Sequence, residues 1–268
     1  MASFDIIETS GKAYIRAWTE RQYLLRLAAV PIALKIVFFF IMIGFGLDNN
    51  VIRQTLVMLP AYFAEGWMLA HVTRLIWLDQ RWPVKLSGDP EADDILITSR
   101  ARGILAGMVT YVLLKMGQNA LFSPVLQSQE TLEAVSASGA PQPSAAIFFL
   151  SIIGLIVLIW AVRFLFLYIP AAANESMKGF LAAFKSYVSS FYFIGAWLIC
   201  YVPFVVLLTL SSGIIKAVTM GNAELAMFLV YIDYLVIDTI GIMIVTMAMA
   251  YGIRQVMYGL PSDKKGSR

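Results

Sequence analysis

The sequence predicts an all-α fold, a polytopic membrane helix bundle of about six transmembrane helices plus two amphipathic interfacial helices. Three observations predict it. Of 268 residues, 60% are hydrophobic and 14% are charged, against roughly 45–50% and about 25% in a soluble globular domain. Six stretches approach or exceed the ~20 mostly apolar residues that cross a bilayer core as a helix. The basic residues gather on alternate connections between those stretches.

Residues 1–23 precede the first stretch. Phe4, Ile7, Tyr14 and Trp18 share one helical stripe, with Asp5, Glu8, Lys12 and Arg16 largely off it. This reads as an amphipathic N-terminal helix lying in the membrane interface or against the bundle. Its acidic residues and lack of an uninterrupted apolar core argue against a cleavable signal peptide. The membrane domain follows over 24–252, with spans at about 24–47, 52–78, 101–123, 146–170, 190–213 and 228–252. The second is the least apolar, because it holds Glu65, His71 and Arg74. A surface helix or a re-entrant segment is the alternative there.

Between the second and third spans, Asp79, Asp89, Glu91, Asp93 and Asp94 mark a solvated turn. The connection 124–146, rich in Ser, Ala, Gln and Pro, reads as a flexible loop. Segment 175–188 carries a second amphipathic stripe of Met177, Phe180, Leu181, Phe184, Tyr187 and Val188. Residues 253–268 form a short basic tail.

Charge sets the orientation. The N-terminal tail, the second-to-third and fourth-to-fifth connections and the C-terminal tail hold sixteen of the 20 basic residues. The opposite side holds Arg53 and Lys216. The positive-inside rule then puts both termini in the cytoplasm. Trp77, Trp82, Tyr168, Tyr187 and Tyr258 lie near the inner boundaries, as an aromatic belt should.

Catalytic signatures are absent: no phosphate-binding Gly-rich loop, no nucleophile elbow, and a single histidine, His71, that excludes any two-histidine metal motif within one chain. Cys200, the one cysteine, reads as a small buried apolar residue. No cofactor is expected. A net charge of +3, without a basic patch interleaved with aromatics, excludes nucleic acid as a partner. The expected partners are the lipid bilayer and an unidentified membrane protein.

Ionisable residues inside spans are costly and mark functional or structural sites. Lys35, Glu65, Lys115 and Asp238 lie about 11–14 residues from the inner ends of four different spans, roughly 16–21 Å deep. Two cations and two anions at one depth suggest a buried ionic cluster. Asn119 and Asp233 form a secondary polar layer roughly 28 Å deep. Arg163, near an inner end, is placed to snorkel to the headgroups. Three readings of the four charges stay open: a network that fixes helix register, a solute or proton path, and no cluster, with Lys35 snorkelling. Gly103 and Gly107 make a small-xxx-small pair suited to helix packing within the chain.

In Arg163–Phe191, RFLFLYIPAAANESMKGFLAAFKSYVSSF, an apolar helix ends at Pro170. Glu175, Gly179, Ala183 and Ser186 then follow along an amphipathic segment. This pattern resembles the YciC-type family of bacterial inner-membrane proteins and the related membrane domain fused to some glycerophosphodiester phosphodiesterases. The resemblance implies a multi-helix bundle in a bacterial inner membrane and carries over no catalytic residue. The expected function is non-enzymatic: organising or partnering with other membrane components. The alternative is a small solute or proton-coupled transporter component that uses the midplane charges.

Overall fold

The computed structural model describes residues 4–47, 50–84, 86–137, 145–219 and 221–259, without side chains for 121–151 and 155. The described residues are helical, with short connections and no strand. Five segments are long and apolar enough to cross a membrane: Arg21–Gly44, Pro90–Ala120, Ile152–Ala172, Tyr187–Val218 and Ala223–Met257.

Helix α1 (Ile6–Thr19) starts at Asp5, whose carboxylate accepts from the Ile7 and Glu8 amides at 3.0 and 3.1 Å. Such a cap satisfies amides that have no intrahelical partner. The expected stripe of Phe4, Ile7, Tyr14 and Trp18 splits between two faces. Phe4 is buried against Tyr192 and Phe193, and Tyr14 donates to the Cys200 carbonyl at 2.9 Å. Ile7 and Trp18 point outward with Ile15, 74%, 71% and 68% exposed. The reason is size. The buried face is Thr9, Ser10 and Ala13, whose short side chains let α1 approach its neighbours closely, and the largest apolar side chains are left outside.

Helix α2 (Arg21–Gly44) follows, then α3 (Val51–Val57) and α4 (Leu59–Leu78). The expected second span 52–78 is thus two helices. Pro60 sits in the first turn of α4, where a missing amide is harmless; further inside a continuous helix it would break the ladder. Helix α4 is not among the five apolar candidates, because Glu65, His71 and Arg74 lower its apolarity, and its burial makes them tolerable. Every residue from Met68 to Trp77 is buried, so α4 is solvated by protein and can hold Glu65, His71 and Arg74.

Helix α5 (Pro90–Ala137) begins well before the expected span 101–123. Pro90 opens it, and Glu91 and Asp93 occupy its first turn, where the helix dipole favours carboxylates. That acidic run is therefore a helix start rather than a turn alone. The helix also continues through the first part of 124–146, which composition assigns to a loop; residues 138–144 lie outside the described residues.

The expected fourth span is segmented into α6 (Ala145–Ala161), a 3-10 turn at Val162–Phe166 and α7 (Tyr168–Ala172). Helix α8 (Met177–Ala183) is capped by Ser176 and is much shorter than the expected amphipathic helix 175–188. Phe180 and Phe184 are fully buried against Phe193, so α8 sits on the bundle. Helix α9 (Tyr187–Val218) and helix α10 (Ala223–Met257) complete the chain; the expected basic tail 253–268 is described only as far as Gly259.

The main core is built where α4 meets α2, α5, α7 and α10, and where α1 lies on α9 and α10. A smaller core of Phe39, Met42 and Leu235 sits at the other end, beside a Phe39–Tyr231 stack of 3.7 Å. Two glycines set the α5–α7 approach. A Cβ on Gly107 would lie 2.6 Å from the Ala172 Cβ, and one on Gly103 would lie 2.5 Å from an Arg74 terminal nitrogen. Phe4 lies against Gly252, so both described ends of the chain meet at one end of the bundle. The outer faces of α9 and α10 are apolar, as a chain solvated by hydrocarbon requires.

Candidate buried ionic site

The site is assembled from five helices. Lys35 stands on α2, one turn beyond the helix-internal Pro31. Glu65 comes from the middle of α4, Asp238 and Thr239 from α10, and Tyr111 from α5. The Lys35 ammonium donates to Glu65 Oε1 at 2.5 Å, to Asp238 Oδ2 at 3.3 Å and to Thr239 Oγ1 at 3.0 Å. All three ammonium protons therefore have acceptors.

Each carboxylate keeps a second oxygen, and each takes a tyrosine. Tyr111 donates to Glu65 Oε2 at 2.7 Å, and Tyr201 of α9 donates to Asp238 Oδ1 at 2.9 Å. Thr239, having accepted from Lys35, donates to the Leu235 carbonyl at 2.7 Å. One cation thus serves two carboxylates, and two neutral hydroxyls disperse the excess negative charge. Glu65 is 0% exposed and Lys35 4%. The Asp238 side chain, 19% exposed, is the member nearest the outside. In such a low-dielectric setting a satisfied network is rigid, whereas one missing partner leaves a desolvated charge.

The sequence-derived candidates divide accordingly. Lys35, Glu65 and Asp238 come together. Lys115 does not join them: its ammonium lies 6.0 Å from the centre of the Tyr62 ring, on the far side of Tyr111 along α5. The secondary layer is two separate sites. Asn119 donates to Thr55 Oγ1 at 3.1 Å, and Asp233 accepts from Ser211. Arg163 does not snorkel. It is 5% exposed, donates to the Phe184 carbonyl at 2.5 Å and lies 4.2 Å from the Trp160 ring, so it closes the C-terminal end of α8.

Tyr111, Tyr201 and Thr239 were not singled out by the sequence, because only formal charges were counted. The two tyrosines lie about ten or eleven residues in from the expected inner boundaries, the same depth as Lys35, so counting hydroxyls would have found them.

Above the ionic site, a Tyr168–Thr246 hydrogen bond of 2.7 Å ties α7 to α10. Among the described residues no group of three His, Cys, Asp or Glu is placed to hold a metal ion. Cys200 is buried and free. The arrangement suits it to hold α2, α4, α5, α9 and α10 in one register. Comparison with known proteins adds no relative: no protein-family model, no curated protein and no solved structure matches the chain.

Proposed function

We propose that this chain is a six-span, non-catalytic protein of a bacterial cytoplasmic membrane, with both termini cytoplasmic, that organises or partners with other membrane components. The sixth crossing is α4, which packs against α2, α5, α7 and α10. The supporting observation is the complete pairing of Lys35, Glu65 and Asp238, since a network with every donor and acceptor engaged resists the rearrangement that carrying a solute or proton demands. On this reading the functional surfaces are outside the bundle. The exposed Ile7, Ile15 and Trp18 face of α1 rests in the membrane interface and offers a partner an apolar ridge. The resemblance of Arg163–Phe191 to the YciC-type family supports the same architecture and location.

One observation favours transport instead: the site holds one carboxylate more than its lysine neutralises, and Asp238 is partly exposed. Proteoliposomes containing a trapped pH dye decide between the two. The expected result is proton leak no greater than in protein-free liposomes, for the parent and for Glu65→Gln alike. A parent-dependent flux that disappears in a Glu65→Gln protein that remains folded at the assay temperature would replace the organising role with a transport one.

A further inference from the structure

Between α5, the 162–168 segment, α9 and α10 lies a partly open cavity of about 320 Å³. Most of its wall is apolar and includes Phe166, Trp197 and Val245. Helix α5 supplies the polar strip, Tyr111, Lys115 and Gln118, spaced so that all three fall on one helical face. The Tyr111 hydroxyl is already committed to Glu65. The polar groups left to meet an occupant are the Lys115 ammonium and the Gln118 amide.

Among the described residues, Lys115 is the one charged residue in this wall. Among the described residues it has no carboxylate partner, and its neighbour on the other side is the Tyr62 ring. An ammonium in an apolar wall inside a membrane protein is matched by an anion and not by a neutral chain. The volume lies at the low end of the roughly 300–1,000 Å³ range of ligand pockets. It suits one hydrocarbon chain rather than a two-chain lipid.

We infer that this cavity is a binding site for a single-chain hydrophobic carboxylate, a fatty acid in chemical class. The carboxylate sits against Lys115 and Gln118, and the chain runs among Phe166, Trp197 and Val245. This goes beyond the organising role and does not depend on it. Occupancy reaches the ionic site through Tyr111, which lines the cavity and holds Glu65.

Trp197 in the wall provides the readout. The full-length protein in phosphatidylcholine nanodiscs is titrated with 11-bromoundecanoate, whose bromine quenches indole fluorescence at close range. Saturable quenching is expected, and its saturable part is absent in Trp197→Phe. Lys115→Gln weakens binding about tenfold or more, and 11-bromoundecanol binds the parent about tenfold more weakly than the acid. Val245→Phe fills the cavity, leaves Lys115 in place and abolishes the saturable component. Equal quenching by alcohol and acid, or an unchanged affinity in Lys115→Gln, would reduce the cavity to an unselective apolar gap. Nanodiscs of brominated phosphatidylcholine test the other source of chains. Strong Trp197 quenching there that undecanoate does not relieve would assign the space to bilayer lipid and overturn the inference. Should Lys115→Gln fail to fold, the acid–alcohol comparison and Val245→Phe decide the matter.

Discussion

Removing the lysine at the centre of the ionic site is the sharpest perturbation the fold offers. Lys35→Met keeps the length and apolar stem of the side chain but leaves Glu65 and Asp238 together with no cation between them. Breaking a buried pair by deleting one partner costs about 3–5 kcal/mol in soluble proteins. Glu65 is fully buried and loses a 2.5 Å bond, so Lys35→Met belongs at the upper end of that range. Glu65→Gln is milder: the lysine keeps Asp238 and Thr239, and Tyr111 keeps an acceptor. Its cost is about 2–3 kcal/mol, between that of an unsatisfied group and that of a broken ion pair. Asp238→Asn is mildest, about 1–2 kcal/mol, since the lysine contact is longer and the side chain is partly exposed.

The double variant Lys35→Met/Glu65→Gln then carries one carboxylate, held by Tyr201, and should be more stable than Lys35→Met alone. At about 2–4 °C per kcal/mol for a chain of this size class, Lys35→Met lowers the thermal midpoint by roughly 8–20 °C. Thermal unfolding in one detergent, followed by intrinsic fluorescence, measures all four. A Lys35→Met protein as stable as the parent, or a double variant whose loss equals the sum of its singles, would refute the claim that these charges form one network.

The glycines on α5 discriminate packing from propensity. Gly107→Ala drives a methyl into Ala172 and should cost about 1–3 kcal/mol, whereas Gly117→Ala, with open space around it, should gain about 0.5–1 kcal/mol; comparing their thermal midpoints tests both. On α1, Ala13→Leu should loosen the helix from the bundle, because Ala13 is 0% exposed, while Ile15→Ala should leave stability unchanged within ~0.5 kcal/mol. Protease sensitivity of the N-terminal segment in detergent separates those two. Brominated lipid should quench Trp18 fluorescence strongly; a Trp18 that only an aqueous quencher reaches would remove α1 from the interface. For topology, reporter fusions near 48, 135 and 220 should be external and those near 90 and 180 internal, and an external C-terminus would sink the six-span count.

Much of this was legible before any coordinates. Apolar length located the crossing helices, and depth counted along each helix put Lys35, Glu65 and Asp238 at one level. What depth leaves open is which neighbouring helix stands opposite each level. Tyr111 and Lys115 are one turn apart, yet Tyr111 reaches Glu65 and Lys115 faces the cavity and Tyr62. Nothing in the local sequence of α5 distinguishes the two, because the choice is made by where α4 and α10 stand. The split of the α1 stripe has the same origin: apolarity marks a side chain as unsuited to water, but in a bilayer both protein and lipid satisfy it. The break in the expected second span is signalled by Pro60, whose missing amide fits a helix start better than a helix interior. The early start of α5 was signalled by Pro90 and the acids behind it, which were read as a turn.

The enclosure of α4 constrains the order in which the chain is built. On insertion scales a central Lys, Arg or Asp costs about 2.5–3.5 kcal/mol, so a helix carrying Glu65, His71 and Arg74 partitions poorly from the translocon by itself. Its partners emerge on both sides of it in time: Lys35 has already left the ribosome, while Tyr111, Tyr201 and Asp238 are still to be made. On the six-span proposal, helix α4 enters the membrane beside α2, with Lys35 as its first counterion, and its seating is finished only when α10 arrives. Nascent chains truncated before α10 should remain targets for membrane quality control, because α10 is the helix that closes the core.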